Sequence, residues 1–441
     1  MSASAPTERA TQNRVVALFR DRLRYTYLGN WKDRAGNANI EPALLAAWLR
    51  RRGVDEGLIT RALHQLDKAA GDSRASLYDR NRAVYELLRY GVKVKPDVGE
   101  NTVTVWLIDW ANPLENDFAL GVLEFKRSTV SVSEGIRQNL DNQKATFIQP
   151  FFSTLQFVMA GNDSEGLRYG TIQTPEKFYL RWKEEAGTGE VPAWAAVESP
   201  LDRELMQLCD KARFLELIHD FVVFDAGIKK LCRHNQYFGV RAAQARIRRR
   251  EGGIIWHTQG SGKSLTMVWL TKWIREHCPD ARVLIITDRS ELDEQIEKVF
   301  KGVSEEIHRT RSGADLIARL NDTTPWLLCS LIHKFGGKEE GDIEGYLDEL
   351  KRALPVDFRA KGDLYVFVDE CHRTQSGELH RAMKTILPGA MFIGFTGTPL
   401  LKDDKARSIE VFGSYIHTYK FDEAAKDGAA LALRYKARDI D

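Results

Sequence analysis

The chain has 441 residues, 43% hydrophobic and 29% charged, enough for two or three domains with cores of their own. A net charge of +2 excludes a globally basic field, so any nucleic-acid affinity has to come from local patches. No apolar run nears the roughly 18 residues of a membrane span, the opening MSASAPTERATQ lacks an apolar signal core, and the five cysteines (Cys209, Cys232, Cys278, Cys329, Cys371) show no metal-ligand spacing, so a cytoplasmic protein with free thiols and no membrane partner is expected.

Residues 1–200 read as one α/β domain. A strand is expected at 103–108, and a second in the apolar run Ala119-Leu120-Gly121-Val122-Leu123-Glu124-Phe125-Lys126. The second ends in Glu-x-Lys, a pattern that suits a metal-dependent nuclease of the PD-(D/E)xK kind. Glu124 would bind Mg²⁺, and Lys126 would position water or stabilise charge on the phosphate. By itself the motif is short enough to arise by chance. The stretch 186–194 (AGTGEVPAW) reads as a loop, and the helical segment 201–224 as the body of a connector spanning 201–229.

From 230 to 425 the pattern changes. Apolar strands near 253–256, 283–287, 326–330, 364–368 and 391–395 alternate with helix-like stretches, which argues a parallel sheet covered by helices. The first strand runs into HTQGSGKS at 257–264. There Gly260 and Gly262 let backbone N–H groups turn in around a phosphate, with Ser261 between them. Lys263 reaches the β and γ phosphates, the Ser264 hydroxyl binds Mg²⁺, and a helix over 265–276 aims its positive dipole end at the same anion. His257 stands where the general loop has glycine. The strand 363–368 delivers DECH at 369–372 to the carboxyl edge of the sheet. Asp369 would hold Mg²⁺ and Glu370 would orient and deprotonate the attacking water, because phosphoryl transfer is mostly positioning and charge stabilisation. A third apolar run ends in TGTP at 396–399, where Thr396 and Thr398 supply hydroxyls and Gly397 a tight turn. The basic run Arg246 and Arg248 to Arg250 reads as an exposed helix face.

These motifs resemble those of superfamily 2 helicases and translocases, and most of all the R (restriction) subunit of type I restriction–modification enzymes. The resemblance is carried by RHNQYFGVRAA at 233–243, GGIIWHTQGSGKSLTMVWL, VLIITDRSELDEQI at 283–296, SLIHKF at 330–335, VFVDECHRTQSGELH at 366–380 and FIGFTGTPL at 392–400. It extends to TERATQNRVVALFRDRLRYTYLGNW at 7–31, LEFKRSTVSVSEGIRQNLDNQ at 123–143 and FVMAGNDSEGLRYGT at 157–171. It implies a nuclease-like domain followed by a RecA-like motor lobe, with ATP and Mg²⁺ as cofactors. Its partners would be double-stranded DNA and the methyltransferase and specificity subunits. Gln236 would take the place of the adenine-sensing glutamine, with Arg233 beside it. His372, Thr396, Gly397 and Thr398 would couple nucleotide to nucleic acid. Cys371 would be a spacer. Thr287, Asp288, Arg289, Ser330 and Lys334 would lie on the surface that tracks a DNA strand.

The chain departs from that family in two places. The Arg-Pro-Asp segment expected on the strand paired with Glu-x-Lys is not found. Asp97, Asp109 and Asp117 are the candidates for its carboxylate, considered on a hairpin turning near Asn112-Pro113, and Asn142 stands where the family tends to have Tyr. The second departure is at the end, where 426–441 reads as the start of a linker to a second lobe, so a truncated product is expected. Its alternative is a non-catalytic remnant that binds nucleotide or partner subunits. A stand-alone superfamily 2 ATPase is a third possibility, disfavoured by the N-terminal resemblance.

Overall fold

The computed structural model describes residues 7–30, 39–97, 99–116, 120–186, 191–287, 290–331, 348, 352–356, 358–371, 383–398, 409 and 412–429. The chain divides into two compact units, Met1–His234 and Asn235–Asp441.

The first unit opens with four helices, α1 (Glu8–Asp21), α2 (Pro42–Arg51), α3 (Glu56–Gly71) and α4 (Leu77–Tyr90). Thr7, Asp55 and Ser76 accept hydrogen bonds from first-turn N–H groups and so start α1, α3 and α4. A hairpin of β1 (Val92–Val94) and β2 (Val103–Val105) follows. The central sheet has β3 (Gly121–Phe125) parallel to β4 (Phe157–Asn162), with β5 (Gly166–Gly170) antiparallel on the far side of β4. Helix α5 (Val132–Asn142) makes the crossover between β3 and β4, and Val132 and Ile136 pack with Ala160. Gly135 allows that approach: a Cβ there would lie 3.2 Å from Ala160 Cβ. The segment read as one helix over 201–224 is instead α6 (Pro200–Leu208), α7 (Lys211–Asp220) and the start of a hairpin of β6 (Val222–Asp225) and β7 (Ile228–Leu231). Pro200 and the Asp210 cap each begin a new helix, which breaks the run.

The expected hairpin about Asn112-Pro113 does not form. Strand β2 pairs back onto β1 and stops at Val105, and Pro113–Glu115 is a 3₁₀ turn. The reason is local. The Asp109 carboxylate accepts from the N–H groups of Ala111 and Asn112 and from the Asn112 amide, while Asn116 bonds the Asp109 backbone at both its N–H and its carbonyl. Such side-chain bonds close a compact loop in place of a strand ladder.

The second unit is built on seven parallel strands: β8 (Gly253–His257), β9 (Ala281–Thr287), β10 (His308–Arg309), β11 (Leu327–Leu331), β12 (Asp363–Val368), β13 (Met391–Thr396) and β14 (Tyr415–Tyr419). Their spatial order is β10-β11-β9-β12-β13-β8-β14. The described helices are α8 (His234–Arg248), α9 (Lys263–His277), α10 (Ser290–Gly302), α11 (Gly313–Leu320) and α12 (Phe421–Lys426). Ile254, Leu284, Ile286, Leu328, Val366 and Phe392 form a continuous core with Leu316 and Leu320 of α11. The buried Arg282 guanidinium donates to the carbonyls of Arg319, Leu320 and Asp322 and so satisfies the end of α11. The α/β class holds for the chain, with the five expected strands each present and β10 and β14 added at the sheet's edges.

Thr287 and Ser330 correct an expectation. Both are fully buried, not on a tracking surface. They lie on neighbouring parallel strands, Ser330 beside Ile286 and Thr287 beside Leu331, and such strands are covered on both faces. Asp288, Arg289 and Lys334 lie outside the described residues. The basic run at the end of α8 is exposed from Arg248 to Arg250, as expected, and its charges are paired locally. Arg248 stacks over Trp273, Arg250 pairs with Asp363 at 2.7 Å, and Arg246 and Arg249 share Glu251.

Candidate active site

The sheet order brings three loops together. β8, β13 and β12 are consecutive neighbours and all parallel, so HTQGSGKS, TGTP and DECH leave the same carboxyl edge with TGTP in the middle. Strands lie about 4.8 Å apart, which sets the outer two loops about 10 Å from each other. A lysine side chain can reach across much of that gap.

The phosphate loop has the backbone its glycines predict. Gly260 has φ +82° and Gly262 φ +88°, the left-handed region that a side chain resists. Gly262 caps α9, so the helix N-terminus opens directly on the loop. Ser261 holds the turn: its N–H and its hydroxyl both donate to the Thr258 carbonyl, at 3.2 and 2.5 Å. Ser264 is the second residue of α9, half-buried beside Lys263. Gln236 of α8 is buried and donates its amide to the Gly262 carbonyl at 2.9 Å, so it rests on the loop itself.

Lys263 Nζ lies 3.8 Å from Glu370 Oε1, and the Gly397 N–H donates to Glu370 Oε2 at 3.4 Å. A Cβ at Gly397 would come within 2.7 Å of Lys263 Nζ, so glycine is what leaves the lysine its path. Asp369 is 7% exposed at the end of β12, and its carboxylate accepts from the Glu370 N–H at 2.9 Å. Glu370 has φ +49°, a left-handed backbone that costs a non-glycine residue about 1 kcal/mol or more and recurs at functional turns. The Thr396 hydroxyl donates to the Thr398 carbonyl and accepts from the Thr398 N–H, which closes the TGTP turn around Gly397. His372 lies outside the described residues. Cys371 is buried under β13 beside Gly394, and burial pushes its thiol well above the ordinary range, with Asp369 and Glu370 adding to the effect. It is packing, not a nucleophile.

In the first unit, Lys126 Nζ lies 3.0 Å from Glu124 Oε1 and also donates to Gln138 of α5. The contact follows from Gly135, which brings α5 down onto β3 between the two side chains. Of the three candidate aspartates, Asp109 is fully engaged by Arg52 and Asn112, Asp97 sits in the turn after β1 with its carbonyl accepting from Glu100, and Asp117 lies outside the described residues. Among the described residues Glu124 belongs to no group of three metal-ligating side chains.

The three motif loops thus meet at one carboxyl edge of a parallel sheet, the edge where open α/β sheets bind ligands. The comparisons extend this. The model of the SWI2/SNF2 ATPase family matches residues 235–441, and that of the type I restriction enzyme R protein N terminus matches 5–177. Together the two matches support the N-terminal part of a type I restriction enzyme R subunit. The chain is 30% identical to the MjaIXP endonuclease subunit of Methanocaldococcus jannaschii over 82% of this chain and 39% of that one. It is 27% identical to the HindI endonuclease subunit of Haemophilus influenzae over 88% of this chain and 42% of that one. The chain thus spans about two fifths of the length of these relatives. A solved fragment of an HsdR subunit from Vibrio vulnificus matches 70% of this chain and 49% of its own at 17% identity and a TM-score of 0.34, too low to bear on the site.

Sequence reasoning marked His257 as a departure but missed its partner. His257 Nε2 and His417 Nδ1 are 2.8 Å apart, although 160 residues separate them in the chain. No local signal links them. The glycine at 239, which admits both rings against α8, was legible only as one letter of a longer resemblance.

Proposed function

We propose that the second unit binds Mg·ATP as the first lobe of a DNA-translocating motor, and that the first unit is the nuclease-like domain of the same type I restriction R subunit. Double-stranded DNA and the methyltransferase and specificity subunits are the proposed partners, and the cytoplasm the proposed compartment. Among the described residues no helix is long and apolar enough to cross a membrane. The observation that carries the reading is the meeting of Lys263, Glu370 and Gly397 at one sheet edge. The amides of Gly260, Gly262 and Lys263 take the phosphates, Ser261 holds the turn between them through Thr258, and Gln236 braces the loop from the side assigned to adenine. Ser264 and Asp369 offer the hard oxygen donors that Mg²⁺ prefers, and the ion would neutralise charge between the β and γ phosphates. Glu370 orients the attacking water. Gly397, held on Glu370, links that carboxylate to Thr396 and Thr398, and His372 joins the coupling set. The test is a Mg·ATP titration of the chain. Saturable binding of one nucleotide, lost on chelating the metal, supports the reading, and no binding overturns it.

In the nuclease-like unit Glu124 and Lys126 are the proposed catalytic pair. Among the described residues Glu124 has no partner trio to hold a magnesium ion, and with one carboxylate such a site would bind the ion poorly. Substituting Glu124→Ala should reduce Mg²⁺-dependent nicking of supercoiled plasmid to background, read on a gel. Among the described residues no trio of ligands surrounds Glu124, which supports the second reading, a remnant that keeps the fold without the cut. In that case wild type nicks no faster than the variant.

A further inference from the structure

We infer that the buried His257–His417 pair positions the phosphate loop, and that α8 holds both ends of that loop through Gly239 and Gln236. The inference rests on the nucleotide reading and adds residues to it. His257 ends β8 and is fully buried. In the sheet register it faces Tyr419, so His417, two residues earlier on β14, is its diagonal neighbour on the same face. A register shift between Tyr415 and His417 re-aims the strand at this point. The two rings meet edge to face with centroids 5.1 Å apart, and at 2.8 Å one ring donates an N–H to the other. Burial lowers the proton affinity of His417, opposed by Glu423. One residue on, the Thr258 N–H donates to the Tyr419 carbonyl at 3.0 Å. The loop therefore leaves the sheet clamped to β14 by one backbone bond and one side-chain bond.

Helix α8 closes the arrangement. A Cβ at Gly239 would lie 2.8 Å from His257 Cε1 and 3.7 Å from His417 Nδ1, so the helix backbone seals the pair. Gln236, three residues earlier and on the same helix face, bonds the Gly262 carbonyl at the other end of the loop. A single rigid element thus fixes where the loop begins and where it ends, and the distance between those points sets the cradle for the phosphates. His257 is the residue that makes this clamp where the general loop has glycine.

The experiment measures Mg·ATP affinity and thermal stability on the full chain for four variants. His417→Phe keeps a ring but leaves the buried His257 nitrogen without its bond, and should weaken binding about tenfold with a melting temperature lowered by only a few degrees. His417→Asn, whose amide overlies the imidazole Nδ1, should restore most of it. Gly239→Ala supplies an arm that does not remove a polar group. Alanine favours the helix, but its methyl meets the His257 ring, so affinity should fall without a loss of helix propensity. Lys263→Ala is the control for the site itself. If His417→Phe and Gly239→Ala both bind as wild type while Lys263→Ala does not, the positioning role is overturned. If Lys263→Ala also binds as wild type, the nucleotide reading fails and this inference fails with it.

Discussion

Lys263→Ala is expected to abolish measurable Mg·ATP binding while leaving the melting temperature close to wild type. The side chain sits at the mouth of the loop, where its ammonium is placed to meet the phosphates as a full positive charge. Two unit charges 4 Å apart interact by about 4 kcal/mol at an effective dielectric near 20, close to a thousandfold in affinity. A second effect has the same sign. Lys263 is 3.8 Å from Glu370, so its removal leaves that carboxylate facing an incoming triphosphate without a balancing charge. Stability should change little, because Lys263 is the first residue of α9 and alanine suits a helix. Unchanged affinity in an isothermal titration would remove the phosphate-loop assignment.

Glu370→Gln separates binding from chemistry. The amide keeps the shape and can still accept from the Gly397 N–H, so the loop and the TGTP turn should stay in place. What is lost is the base that takes a proton from water, an effect of about 10²–10⁴ in rate. Nucleotide affinity should hold or rise slightly, since Lys263 is released from its carboxylate partner to meet the phosphates. Phosphate release at saturating ATP is the readout. Equal turnover in wild type and variant would assign the water-activating role elsewhere, while lost binding would mean that Glu370 supports the fold of the site.

The second unit was largely legible because its information is local. A strand, a glycine-bearing loop with Lys-Ser, and a helix follow one another within 253–277, and each residue type has a backbone reason to be there. The DECH and TGTP strands were found at nearly their observed bounds for the same reason. What one residue string cannot carry is the pairing of strands. Strand β2 was matched to the Glu-x-Lys strand by analogy, but Asp109 and Asn116 close a loop that sends the chain elsewhere. Thr287 and Ser330 were expected on a tracking surface from the family resemblance, yet parallel strands bury both faces. The Gln236 contact with Gly262 and the His257–His417 pair join residues distant in the chain, so only the fold reveals that one helix braces both ends of the loop.

The most direct test is a crystal structure of this chain with Mg²⁺ and a non-hydrolysable ATP analogue. The triphosphate should lie among the amides of residues 260–263, with the metal between the Ser264 hydroxyl and the Asp369 carboxylate and Lys263 drawn from Glu370 toward the γ phosphate. Nucleotide bound away from that loop, or a metal that touches neither Ser264 nor Asp369, would contradict the account.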